Sequence, residues 1–131
     1  MFSIVQLIKI TNTNLFVVAN LSQEIQITKD GLNNSIINGA TDWVYEEEFA
    51  FDNGFQWNSN GTKIAFYRFN EEAVPEFSMD VFTNLYPSQT QFKYPKAGEA
   101  NSSVEIYIYD TNTKTTVEAA IEVDEEFYIP R

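Results

Sequence analysis

Three consecutive carboxylates, Glu46-Glu47-Glu48, follow an aromatic pair in the segment Asp42-Trp43-Val44-Tyr45-Glu46-Glu47-Glu48-Phe49. Adjacent negative charges repel, and each one that loses solvent raises that cost, so a buried run of this kind calls for compensation. On an extended strand, neighbouring side chains point to opposite faces and consecutive glutamates cannot converge on one small group. On a short helical turn, neighbours lie about 100° apart around the axis, and two flexible Glu side chains can reach one cation near the end of the turn. A primary ammonium offers three N–H donors, which two carboxylates would hold by short, charge-assisted hydrogen bonds. Such a pair would register the free N-terminus of a peptide and discriminate against blocked chains. Two other readings of the run stand beside this one: a solvated acidic cluster, and a hard-cation site, although the regular ligand spacing of a calcium loop is missing.

Much other chemistry is excluded by composition. The 131 residues include no cysteine and no histidine, so disulfides, thiolate or imidazole metal sites and Ser-His-Asp triads cannot be assembled within the chain. Serines such as Ser59 and Ser78 lack a histidine base, and neither sits in a G-x-S-x-G elbow. The formal charge of −11 repels phosphate backbones and anionic headgroups, so neither nucleic acid nor a membrane surface is an expected partner. No cofactor is expected. The opening Met1–Ile10 is apolar but has no preceding cationic segment and no A-x-A-like site, so it reads as strand rather than signal peptide. No stretch approaches the roughly 18 apolar residues of a membrane span.

The elements that must position the glutamates are β-strands. Short β-rich runs recur between Asn, Gly, Asp, Ser and Thr clusters, the pattern of antiparallel sheet. Strands are predicted over 2–10, 15–20, 24–28, 55–58, 63–69, 103–109, 115–120 and 126–129. In the run Val104–Tyr109, strict alternation puts Val104, Ile106 and Ile108 on one face and Glu105, Tyr107 and Tyr109 on the other. Hairpin turns are predicted at Thr11–Asn14, Lys29–Gly31, Ser59–Thr62 and Asp110–Thr113. Phe55–Phe69 reads as strand, Asn-Gly turn, strand, and Val104–Ala120 repeats that layout, a weak internal repeat at about the period of a propeller blade. Between Glu71 and Ala100 the pattern lapses around Pro75, Pro87 and Pro95, while Phe77, Phe82, Tyr86, Phe92 and Tyr94 make the segment too apolar for a free linker.

Thr41-Asp42-Trp43-Val44-Tyr45-Glu46-Glu47-Glu48, preceded by Ile37-Asn38-Gly39, resembles the signature of the dipeptidyl peptidase IV family. Further similarities follow in the same order: Trp57-Asn58-Ser59-Asn60-Gly61 to a W-S-P-[DN]-G turn, Phe69-Asn70-Glu71 with Val74-Pro75 to an F-[ND]-[DE]-x-x-V-P step, and Tyr94-Pro95-Lys96-Ala97-Gly98 to YPKAG. Two departures stand out: Asn58-Ser59 in place of Ser-Pro, and a poor match over residues 1–9.

The resemblance implies an all-β fold: a partial β-propeller of about two blades, with a short helical turn at Asp42–Glu48 and an extended arm over about residues 71–100. Residues 1–131 would then be a fragment of the N-terminal propeller domain of a serine exopeptidase, without its catalytic α/β-hydrolase domain and therefore inactive alone. Family members remove dipeptides from peptide N-termini, preferring Pro or Ala in second position. By resemblance, Glu47 and Glu48 bind the α-ammonium of the substrate, Glu46 is not a ligand, and Trp43 and Tyr45 pack to hold the turn. The family's substrate-facing arginine lies upstream of the matching region. Expected partners are the peptide N-terminus, the hydrolase domain, the remaining blades and a second copy of the chain, met through the arm or exposed edges. Kinship also implies a parent that is exported or membrane-anchored, and the Asn-x-Ser/Thr sequons at Asn20, Asn33, Asn60 and Asn101 are read as chance. The competing reading is a standalone β-rich interaction or carbohydrate-binding module.

Overall fold

The computed structural model describes residues 6–19, 23–122 and 127–130. In chain order the elements are β1 (Gln6–Thr11), β2 (Asn14–Ala19), β3 (Gln23–Gln26), β4 (Ile36–Asn38), α1 (Trp43–Phe49) and β5 (Phe55–Trp57). There follow β6 (Lys63–Asn70), β7 (Glu76–Val81), β8 (Ser88–Lys93), β9 (Ser103–Asp110) and β10 (Thr115–Glu118).

A first antiparallel sheet has the order β1-β2-β3. Its first turn uses Asn12 and Thr13, both with positive φ (50° and 58°), the two-residue connection whose twist suits a hairpin. Of the predicted first strand, positions 2–5 lie outside the described residues, as does Asn20 at the end of the second.

The second sheet is built on β6, which pairs with β9 along its whole length; β10 lies beyond β9. The other side of β6 is shared. Ile36–Asn38 of β4 face Asn70–Arg68, and Phe55–Trp57 of β5 face Phe66–Ile64, both antiparallel. Between them Gly39 N donates to Tyr67 O at 2.9 Å and Tyr67 N donates to Gly54 O at 2.8 Å. β4 and β5 are therefore two halves of one strand, and residues 40–53 loop out from its middle. The sheet has the four strand positions of a propeller blade, and β1-β2-β3 supplies three strands of its neighbour.

The two sheets pack face to face. Leu15 and Val17 from the first meet Ile64, Phe66 and Tyr109 from the second, all nearly solvent-free. Alternation along β6 sends Phe69 to the opposite face, where it joins Val104 and the helical residue Tyr45. Phe66 and Phe69 are both fully buried, and each such ring contributes roughly 1.5–3 kcal/mol. The predicted alternation of β9 holds: Val104 lies on the helix side, Tyr107 and Tyr109 on the side of the first sheet.

Several elements differ from their sequence-based reading. The hairpins β5–β6 and β9–β10 both form, but within one sheet, so the apparent repeat is two halves of a single blade; similar turn chemistry serves any hairpin, in whichever blade it sits. Lys29-Asp30-Gly31 is not a hairpin turn. It joins the two sheets, and the Asp30 carboxylate accepts from Arg68 Nε at 2.9 Å and Asn38 Nδ2 at 3.0 Å, while Arg68 also meets Glu105 at 3.0 Å. Although burial opposes it, donation from Arg68 and Asn38 holds the Asp30 carboxyl below its ordinary range. β4 was not predicted: no tight turn joins it to its partner strand, as the Asn60-Gly61 turn joins the equally short β5 to β6. Of the strand predicted over 126–129, Glu126 lies outside the described residues and Phe127–Ile129 form no strand.

The segment around the three prolines is not irregular. β7 and β8 form a two-stranded hairpin that pairs with no other strand among the described residues, with Phe77 opposite Phe92. Phe82, Leu85 and Tyr86 lie in the connection at its tip, exposed by 76%, 91% and 80%. The hairpin leaves the blade between β6 and β9, so it is an extended arm inserted between adjacent strands.

Candidate functional site: the helix carrying the three glutamates

The helix stands on a narrow neck in the interrupted strand. Gly54 N donates to Gly39 O at 3.0 Å, and Ala40 bridges Asn53. Gly54 is required by space, since a Cβ there would sit 2.7 Å from Ala40 O; Gly39 is required by its left-handed backbone (φ +75°), where a Cβ would also meet the Leu15 side-chain end at 2.5 Å.

Asp42 starts α1. Its Oδ1 accepts from Tyr45 N at 3.0 Å, the bond that makes Asp a favoured first cap, and its Oδ2 accepts from Ser102 Oγ at 2.7 Å. The helix ends at Ala50, which takes a left-handed conformation (φ 56°, ψ 40°). Tyr45 faces inward, one turn from Phe49, with ring centroids 4.8 Å from Phe69 and 5.1 Å from Phe49. Its hydroxyl accepts from Ile129 N at 2.8 Å. Burial pushes its phenol up to about 12, with the negative charge of Asp42 adding to the effect.

With Tyr45 and Phe49 turned inward, helical spacing turns Glu46, Glu47 and Glu48 outward, and all three are exposed. No ion pair among the described residues includes any of them, and the last turn carries no basic residue. Glu47 and Glu48 thus stand near the negative end of the helix dipole, where an anion is disfavoured by a few tenths of a kcal/mol to about 1 kcal/mol. Glu48 also lines a cleft of about 480 Å³, with Trp43, Tyr94, Lys96, Glu99, Asn101 and Tyr128 among its walls. Glu47 is not among the lining residues. Asn101 donates through Nδ2 to the Tyr128 hydroxyl, leaving its buried Oδ1 without a partner. Among the described residues no three acidic side chains converge as metal ligands do.

One group at this site escaped the sequence reading. Glu71 follows β6 and is only 6% exposed. Burial, reinforced by the charge of Asp42 and opposed by Lys93, raises its carboxyl to about 7. Its position in Phe69-Asn70-Glu71 was visible, but nothing in a linear motif reveals that it is buried where the charge of Asp42 acts on it. The turn Asn58–Thr62 explains the mild departure noted above: Asn58 Oδ1 accepts from Thr62 N at 2.8 Å and Lys63 N at 3.0 Å, tying down the turn itself.

Comparison with known proteins agrees with this geometry. The family described as "Dipeptidyl peptidase IV (DPP IV) N-terminal region" matches residues 5–131. Inactive dipeptidyl peptidase 10 of Mus musculus is 35% identical across 95% of this chain and 16% of its own length. Dipeptidyl peptidase 4 of Sus scrofa is 41% identical across 72% of this chain and 13% of its own. Among solved structures, Porphyromonas gingivalis dipeptidyl peptidase 4 superimposes with a TM-score of 0.89 at 41% identity, covering 96% of this chain and 18% of that one. The chain thus spans less than a fifth of each of these relatives. From the matched region, the interrupted blade strand and the DWVYEEE helix, the chain belongs to the dipeptidyl peptidase IV family and corresponds to part of its N-terminal propeller.

Proposed function

We propose that this chain supplies the amine-anchoring part of a dipeptidyl peptidase IV-like serine exopeptidase, with Glu47 and Glu48 binding the α-ammonium of the substrate peptide. The observation that carries the reading is the pair of exposed carboxylates, without ion-pair partners, at the negative end of a helix held by Asp42, Tyr45 and a glycine neck. An incoming ammonium would relieve both the mutual repulsion and the unfavourable dipole, and a blocked amine would not. With no histidine the chain supplies no imidazole base for a serine-peptidase triad, and cleavage would belong to the hydrolase half of the parent. The arm would meet a second copy of the chain, and the parent would be exported or membrane-anchored, as kinship suggests.

The test is kinetic and uses the full-length protein. Glu47→Gln and Glu48→Gln should each lower kcat/KM for dipeptide release about 10- to 100-fold, the loss of one charge-assisted contact. Unchanged kinetics in both would remove the role. The likeness to a relative named as inactive favours a second reading, a parent that binds peptide amines without cleaving them. In that case dipeptide binding by titration calorimetry should show the same dependence on both glutamates, with no turnover.

A further inference from the structure

The arm and the glutamate helix touch through one ring pair. Trp43, the first residue of α1, meets Tyr94 edge to face with centroids 4.5 Å apart and planes at 86°. Tyr94 follows β8 and is fixed by its own N–H, which donates to Pro75 O at 3.0 Å across the arm's root. Behind it stands Phe77 of β7 at 5.7 Å, which in turn packs on Phe92 of β8 at 5.7 Å. Lys96 Nζ lies over the Phe77 ring at 5.7 Å from its centroid. The segment leaving Tyr94 then runs along the cleft that Glu48 lines and reaches the helix again at Ser102, which donates to the capping Asp42.

We propose that Tyr94 is a positioning residue for the glutamate helix, transmitting the geometry of the arm's root through Trp43 to the carboxylates. A seven-residue helix cannot hold itself in water, so its orientation is set by whatever packs on it. Its inner side is locked by Tyr45 and Phe49. Rotation about that anchor moves Glu47 and Glu48, and the ring pair at Trp43 opposes this rotation from the arm side. Edge-to-face pairs of this kind resist displacement directionally, as aliphatic contacts do not. The inference rests on the amine-anchoring reading only for its functional consequence; the mechanical link is independent of it.

Hydrogen exchange on the chain itself tests the link. Tyr94→Ala should speed exchange of the 46–50 amides at least tenfold while β6 and β9 amides stay protected, Tyr94→Phe should leave both as they are, and Phe77→Ala should give a smaller acceleration in the same amides. If Tyr94→Ala leaves helix exchange unchanged, the proposal fails. Should that variant lose protection in β6 and β9 as well, Phe77→Ala decides: acceleration confined to the helix upholds the link, and none overturns it. In the full-length protein Tyr94→Ala should raise KM at least threefold with little change in kcat, restored by Tyr94→Phe. Altered helix exchange beside kinetics insensitive to Glu47→Gln and Glu48→Gln would refute the amine anchor and leave the mechanical role standing.

Discussion

Glu71 and Asp42 are two carboxyl groups left only 6% and 5% exposed, and the charge of Asp42 acts on Glu71. Asp42 is satisfied by Tyr45 N and Ser102 Oγ, and the Glu71 carboxyl bears the cost. A folded-state value of about 7 against 4.5 for the free side chain means that the folded protein favours the protonated acid. Its stabilising effect is therefore complete below about pH 4.5, declines as pH rises through about 7, and is absent above that. Glu71→Gln should flatten that part of the stability profile and raise stability at pH 8 by about 1–2 kcal/mol, seen as a higher Tm. An unchanged slope between pH 5 and pH 8 would show that another group carries it. The sequence placed Asp42 at the start of a helical turn, but its capping bond to Tyr45 N is a finding of the structure. Burial of Glu71 was not readable in sequence either, since it depends on what the fold packs around it rather than on its neighbours in the chain.

The decisive element is a strand broken in two. β4 and β5 contribute three residues each, and the residues between them leave and re-enter the sheet through Gly39 and Gly54. Gly54→Ala should force Ala40 O away and destabilise the chain by about 2–3 kcal/mol, with the 40–53 loop exchanging fastest. Gly61→Ala makes a useful control: Gly61 has φ +64° but nothing within 4 Å of a new Cβ, so only backbone strain of about 1 kcal/mol is expected. Equal losses at the two positions, measured by denaturant titration, would mean that the neck is not a steric constraint. β4 has no tight turn joining it to its partner strand, whereas the equally short β5 was flagged by the Asn60-Gly61 turn and the eight-residue β6 and β9 were plain. The arm hairpin was hidden for another reason: β7 and β8 are mostly exposed on both faces, and a strand without a buried face loses its apolar period.

On the scale of the molecule, the arm presents Phe82, Leu85 and Tyr86 to solvent far from the inter-sheet core. Apolar tips of this kind mark contact surfaces. Replacing Phe82 and Leu85 with Ser should lower the apparent mass in light scattering from dimer to monomer while leaving Tm within about 1–2 °C, since neither side chain supports the fold. A wild-type chain that is already monomeric at high concentration would contradict the role of the arm. By itself the sequence determined the all-β class, most strand positions, the helical nature of the glutamate run and the family, because local periodicity, turn chemistry and a long collinear motif are all properties of neighbouring residues. Only the tertiary structure decided that two hairpins share one blade and that the helix springs from an interrupted strand. It also decided that Glu71 is buried where the charge of Asp42 acts on it and that Tyr94 reaches Trp43. Each of these depends on segments distant in the chain, fixed by how sheets and loops close in space, and no local pattern of residues encodes it.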